Sequence, residues 1–396
     1  MGMEHLSEVL KILDGALKAN ASMASNYAGL LADKLEQEGQ RAQARMVRER
    51  LARAPMALAM AQDASRGVSL GKLPADNDSR LNTVDVSLPS VEAMHLVLPD
   101  AISERLDDFV RGVRHHDQLA SAGVAIPNRI LIYGLPGTGK TQTARWIAAT
   151  LGLPLLTTRC DTLVSSLLGQ TSRNLRQVFD YAQQTPCVLF LDEFDALAGA
   201  RGNERDVGEL QRVVIALLQN IDALPDSTVL VAATNHEQLL DPAIWRRFAT
   251  HIPMPLPDEA MREALFSRCL GGFIAPDVDL RSVAVLADGA TGALIEQVCM
   301  DAKRNAILSG SNTVQRLELY RRLGLALALQ MGERLSTKEQ EVRWLRRWAE
   351  SEFSLRALSA LYGTTVHAMS RIIKGDVQDG QKTKTKQRKP AQRPET

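Results

Sequence analysis

Residues 134–141 read Gly-Leu-Pro-Gly-Thr-Gly-Lys-Thr. Glycines in this density let the backbone curl until successive N–H groups point inward at one anion, in conformations that a Cβ disfavours. Gly134, four residues, then Gly139-Lys140-Thr141 is the spacing of a phosphate-binding loop. Pro136, Gly137, Thr138 and Gln142 complete the set expected to line a nucleotide. Lys140 supplies a point charge to the β- and γ-phosphates of a triphosphate, and Thr141 a hydroxyl for Mg²⁺. A helix expected from Gln142 to Thr150 adds its N-terminal partial positive charge. The apolar run Arg129–Tyr133 before the loop reads as a strand, so the strand–loop–helix context is met.

A second segment adds carboxylates. Cys187–Leu191 is continuously apolar, as a parallel strand buried on both faces should be, and it delivers Asp192 and Glu193 at its carboxyl end. Ligands of open α/β sheets bind at that end. Asp192 is expected to hold Mg²⁺, directly or through water, and Glu193 to orient and deprotonate an attacking water. Phosphoryl transfer asks little more of a protein than positioning and charge neutralisation. A third apolar run, Thr228–Thr234, ends on Asn235, whose amide can sit between the acids and the γ-phosphate. Arg246 and Arg247 follow closely; they are either surface charges or fingers aimed at a neighbouring subunit's nucleotide.

These elements imply an α/β class: a P-loop NTPase parallel sheet flanked by helices. Their order and spacing resemble the AAA family of ATPases, in the AAA+ superfamily. The resemblance is carried by the loop, by Leu189–Leu197, by Ala232-Ala-Thr-Asn235, and by Leu240-Asp-Pro-Ala243 through Arg246-Arg247-Phe248. It extends from about Leu98 to about Ser309. What it implies is a ring, usually of six subunits, with ATP at each interface. Lys140, Thr141, Asp192, Glu193 and Asn235 would then act in cis, while Arg246 and Arg247 reach across; Asp241 resembles the family's conserved acid in the same block, with a positioning role. Gly292 and Ala293 resemble the lid turn that packs near the adenine, and the family's AAA branch carries no sensor arginine there. One departure stands out. The loop after the second strand in many protein-threading members carries an aromatic, and the matching position here is Leu167, beside Leu168 and Gly169.

The chain has 396 residues, 45% apolar and only 4% aromatic, which suits two or three folded units rich in Ala and Leu. No apolar run approaches the roughly 18 residues that span a bilayer, and the polar N-terminus lacks a signal-peptide pattern. Cys160, Cys187, Cys269 and Cys299 show neither paired spacing nor His company, arguing against metal or disulfide roles. A reducing cytoplasm is the simplest compartment.

The expected organisation is a helical N-terminal partner or substrate module (1–62), a polar turn-rich linker (63–95), the large ATPase domain (96–257), a small helical lid (258–311), a C-terminal helical module (312–376) and a basic tail (377–396). The N-terminal module carries Arg41, Arg45, Arg48, Arg50 and Arg53, a solvated face or a nucleic-acid contact. It is similar to the front end of short bacterial AAA proteins, some of which are paired with subtilisin-like serine peptidases. Near the C-terminus, Ser354–Gly363 and Thr364–Lys374 read as two helices broken at Gly363, either an ordinary hairpin or a helix-turn-helix. In the latter, Thr364, Thr365, His367, Ala368 and Arg371 face DNA. The tail, with Lys382, Lys384, Lys386, Arg388, Lys389 and Arg393, suits nonspecific phosphate attraction or mere solubility. Two functions are thus expected of the whole: an ATP-hydrolysing ring that remodels a protein partner, tethered to DNA, or an ATP-switched DNA-binding assembly protein that threads no polypeptide.

Overall fold

A computed structural model describes residues 5–17, 21–52, 84–94, 96–160, 168–198 and 207–374. Leu167, at the position of the aromatic in protein-threading members, Arg53, most of the linker and the basic tail lie outside the described residues. The chain divides into two compact units that meet between Pro255 and Leu256.

The first unit opens with three helices, α1 (Leu6–Leu17), α2 (Ala21–Gln37) and α3 (Arg41–Ala52). Strand β1 (Asp85–Ser87) follows, within the segment expected to be linker. Next come α4 (Asp100–Arg114), α5 (His116–Ser121), β2 (Arg129–Gly134), α6 (Lys140–Leu151), β3 (Leu155–Arg159) and α7 (Leu168–Gln184). The unit closes with β4 (Val188–Asp192), α8 (Asp195–Ala198), α9 (Val207–Ala223), β5 (Val229–Thr234), α10 (Pro242–Trp245) and β6 (Thr250–Met254). The six strands form one sheet in the order β1-β3-β4-β5-β2-β6. All neighbours are parallel except β1, which lies antiparallel on the outer edge of β3.

Alternation along β4 shows why the unit has two cores. Leu189 and Leu191 point to one face, where they meet Leu175, Val178 and Phe179 of α7 and Leu217 and Ile221 of α9. Val188 and Phe190 point to the other, against Ile102, Leu106 and Phe109 of α4 and Ile147 of α6. A strand buried on both faces must be apolar at every position, and each such side chain contributes roughly 1.5–3 kcal/mol on burial.

The N-terminal helices dock on this sheet at the end where the strands begin. Lys11 Nζ donates to the Tyr27 hydroxyl at 2.9 Å and to Thr228 Oγ1, just ahead of β5, at 3.4 Å. The Tyr27 hydroxyl in turn donates to the carbonyl of Gln183, in the last turn of α7, at 3.2 Å. Lys34 pairs with the buried Glu8 carboxylate at 2.6 Å. The α1–α2 crossing is close because Gly15 has no Cβ; one would stand 2.7 Å from the Ala24 nitrogen.

The second unit is helical: α11 (Glu259–Leu270), α12 (Leu280–Leu286), α13 (Gly292–Leu308), α14 (Arg316–Gln330), α15 (Lys338–Trp348), α16 (Leu355–Tyr362) and α17 (Val366–Lys374). Asp258, Asp279, Thr291, Thr337 and Ser354 each cap a helix through the side chain, satisfying N–H groups that the first turn leaves unpaired. Trp344 Nε1 donates to the Gly324 carbonyl at 2.8 Å, and a Cβ on Gly324 would sit 2.7 Å from the Trp348 ring. That glycine lets α14 and α15 touch.

Candidate nucleotide site

The loop residues 134–142, Asp192, Glu193 and Asn235 lie at the carboxyl ends of β2, β4 and β5 or just beyond them, whereas Arg246 and Arg247 follow α10 and precede β6. Gly134, Gly137 and Gly139 have φ of 147°, 77° and 100°, a region where a Cβ costs strain. Space forbids one as well at Gly134, where it would stand 2.3 Å from the Met254 carbonyl oxygen on the adjacent β6. The loop between Gly134 and Gly139 leads into α6, which starts at Lys140, two residues ahead of the expected start. Pro136, Thr138, Thr141 and Gln142 fall on the loop and the first turn. Thr138 Oγ1 donates to the Leu135 carbonyl at 2.8 Å, tightening the turn. Lys140 Nζ donates to the carbonyls of Gly134 and Leu135, both at 2.8 Å. Burial pushes its ammonium pKa down, and Asp192, Asp195 and Glu237 pull it back up.

Thr141 and Asp192 meet across the sheet: Thr141 Oγ1 donates to Asp192 Oδ2 at 3.3 Å. A hydroxyl and a carboxylate so placed, close to a buried lysine and a glycine loop with positive φ at Gly134, Gly137 and Gly139, fit a triphosphate with a hard, oxygen-seeking cation such as Mg²⁺. Glu193 follows with φ of 52°, unusual for a residue with a side chain. Its N–H donates to Asp192 Oδ1 at 3.0 Å, and the next residue, the buried Phe194, donates its N–H to the Ala233 carbonyl at 2.8 Å. These two bonds hold the turn that carries Glu193. Arg159, at the end of β3, approaches the Glu193 carboxylate to 3.7 Å.

Asn235 is half-buried at the end of β5, and its backbone N–H donates to Asp195 Oδ1 at 3.2 Å. The same oxygen accepts from Thr234 Oγ1 at 2.9 Å. Asp195, at the start of α8, therefore ties the end of β5 to the segment that follows β4. Asp241 caps the short helix α10 by accepting from the Ala243 N–H at 2.7 Å. Beyond it the two arginines part: Arg246 is exposed, whereas Arg247 is bound to Asp222 of α9 and to the Ala243 carbonyl. Asp195, Arg159 and Asp222 were not singled out from the sequence. Asp195 stood inside a quoted motif, but Arg159 and Asp222 gain meaning only from pairings that the fold creates.

A family model described as "ATPase family associated with various cellular activities (AAA)" matches residues 130–256. An uncharacterised AAA family ATPase of Sinorhizobium fredii, y4kL, is 35% identical over 291 residues, covering 74% of this chain and 86% of that protein. The chain belongs to the AAA family of ATPases. It is thus an ATP-hydrolysing, nucleotide-binding AAA protein built on a mostly parallel P-loop sheet. Another AAA relative, the proteasome-activating nucleotidase of Methanopyrus kandleri, is 34% identical over 247 residues, 59% of this chain and 56% of that one. An ATP-dependent zinc metalloprotease FtsH of Acidothermus cellulolyticus is 31% identical over 250 residues, 61% of this chain and 38% of that one.

The remaining candidates of this AAA chain lie in the second unit. Gly292 and Ala293 form the first turn of α13, capped by Thr291 Oγ1 accepting from the Leu294 N–H at 3.2 Å. Thr364, Thr365, His367 and Arg371 are all exposed, and Ala368 half-buried. The break between α16 and α17 is Gly363 at φ of 62°. Thr365 Oγ1 caps α17 by accepting from the Ala368 N–H at 3.2 Å, and Met369 is buried beneath it. Arg343 of α15 donates to the Ile372 carbonyl at 3.0 Å, so α15, α16 and α17 form a three-helix group. No described helix is long and apolar enough to cross a membrane.

Proposed function

We propose that this AAA ATPase assembles into a ring, of six subunits by family resemblance, and spends ATP on remodelling a bound protein. The observation that carries the reading is the 3.3 Å contact between Thr141 and Asp192 beside Lys140, a ready seat for a metal–triphosphate. In it, the loop N–H groups and Lys140 bind the β- and γ-phosphates, and Thr141 and Asp192 hold Mg²⁺. Held there, Mg²⁺ would supply positive charge against the negative charge of the phosphates. Glu193 accepts a proton from the attacking water, Asn235 orients that water, and Arg246 reaches a neighbouring subunit's γ-phosphate. The names of the M. kandleri and A. cellulolyticus relatives, an activator of the proteasome and a protease, favour a protein substrate, and a partner protease fits the same picture. A location in the cytoplasm suits such a partner.

The experiment that tests it replaces Glu193 with Gln. The expected protein binds ATP and assembles, by native mass spectrometry, while turnover falls by about 10²–10⁴-fold, the usual worth of a general base. Unchanged turnover would remove Glu193 from the mechanism.

A second element of the proposal is a DNA tether in the C-terminal module, supported by the capped, exposed face of α17 and its Arg371. If DNA binding is instead the whole activity, duplex DNA will drive assembly without any protein substrate altering the ATPase rate.

A further inference from the structure

The exposed Arg246 and its neighbour Arg247 sit between two aromatic contacts, and each leads back to this subunit's own site. On one side, Trp245 meets Tyr133 edge to face, with ring centroids 5.2 Å apart and planes at 75°. Tyr133 is the residue immediately before Gly134. Trp245 also packs against His251, tilted at 38° with centroids 4.9 Å apart, whose Nε2 lies 3.1 Å from the Trp245 carbonyl oxygen. On the other side, Phe248 meets Phe194 edge to face at 5.8 Å and 81°. Phe194 is the residue immediately after Glu193. Packed aromatic pairs hold a fixed relative geometry and resist sliding.

We infer that Trp245 is a positioning residue: it aims Arg246 and transmits to that arginine the placement of its own subunit's phosphate loop through Tyr133. This rests on Arg246 acting across a subunit interface. Trp245 is half-buried rather than fully enclosed, and the neighbouring Ile244 and Phe248 already anchor the segment in the core at 0% and 2% exposure. The tryptophan is therefore not needed merely to hold the segment down. An arginine displaced by an ångström loses much of its effect on phosphoryl transfer.

Subunit mixing tests this with the full chain. Arg246→Ala subunits keep a phosphate loop but present no arginine; Lys140→Ala subunits present the arginine but lack the lysine. Mixed with ATP, the two should regain turnover that neither has alone. Lys140→Ala, Trp245→Ala donors should restore at least about tenfold less, although they still co-assemble by native mass spectrometry. Trp245→Phe donors, which keep an aromatic edge against Tyr133, should restore most of it. Trp245→Leu, which fills volume without the edge contact, should not, and it decides the matter if the alanine variant fails to assemble. Equal rescue by Trp245→Leu and unaltered donors overturns the positioning role while leaving trans action intact. No rescue by unaltered Lys140→Ala donors would instead sink the trans role of Arg246, and this inference with it.

Discussion

Arg247 is fastened to Asp222 by two parallel hydrogen bonds, Nε to Oδ1 and Nη2 to Oδ2, each 3.1 Å long. A fork-to-fork pair of this kind fixes the guanidinium in direction as well as place, and the carboxylate raises the Arg247 pKa further. The adjacent arginines are thereby divided into a strut and an exposed charge.

Different penalties follow for the two. Arg246→Ala should cost about 10³-fold in kcat, in line with the worth of an arginine finger, with nucleotide affinity little changed. Arg247→Ala and Asp222→Asn should each cost about tenfold, through lost aim rather than lost charge. Steady-state ATPase rates and titration with a fluorescent nucleotide separate these effects, and a larger loss for Arg247→Ala would reverse the assignment.

Gly134→Ala should destabilise the large domain by about 2–4 kcal/mol, because the added Cβ meets a backbone carbonyl as well as backbone strain. At Gly139 the nearest atom to a new Cβ is the Met254 methyl at 3.8 Å, leaving strain alone, about 1–2 kcal/mol. Denaturant midpoints of the two variants should fall in that order.

Docking of the N-terminal helices should tighten as pH rises from about 8 to 9. Burial depresses the Lys11 pKa from 10.5 to about 8, opposed by Cys187 and Glu8. A lysine that prefers to be neutral when docked penalises docking fully below that value, and the penalty lifts between about 8 and 10.5. Above 9.0 the gain is checked, since burial pushes the Cys187 thiol from there up to about 12 and the docked state keeps its proton. Hydrogen exchange of α1 amides against pH, corrected for intrinsic rates, reads the effect. Lys11→Met should strengthen docking at pH 7 by about 1–3 kcal/mol and flatten the profile; an unaltered profile would exclude Lys11 as its source.

If the C-terminal module is the DNA tether proposed above, Arg371→Ala should weaken duplex DNA binding several-fold and lower the salt slope by about one. Loss of affinity without a change in slope would remove Arg371 from the phosphate contacts.

Much of the first unit was legible because burial on both faces leaves a signature. A run such as Val188–Leu191 has no polar position and ends abruptly on Asp192, so both strand and active end can be read. Glycines at 134, 137 and 139 announce a backbone that no other residue adopts freely. By contrast, β1 escaped notice: three residues with two exposed side chains carry no hydrophobic period. The strut Asp222–Arg247 joins residues 25 positions apart, and the Lys11–Thr228 contact joins residues 217 apart; in sequence Asp222, Arg247 and Lys11 look like ordinary surface charges and Thr228 like an ordinary polar residue. The tryptophan in Ile244-Trp245-Arg246 likewise reads as one more apolar residue until Tyr133 is seen against it.

Strand β1 has one more effect. It runs against the grain of the sheet, covers the outer edge of β3 for only three residues, and presents Asp85 and Ser87 to solvent with Pro89 two positions on. A strip that short, charged and followed by a residue with no N–H offers a poor template for another chain to pair with. Copies of this protein crowded together are thus denied strand addition at that edge, which leaves helices and loops as the surfaces by which they can meet there.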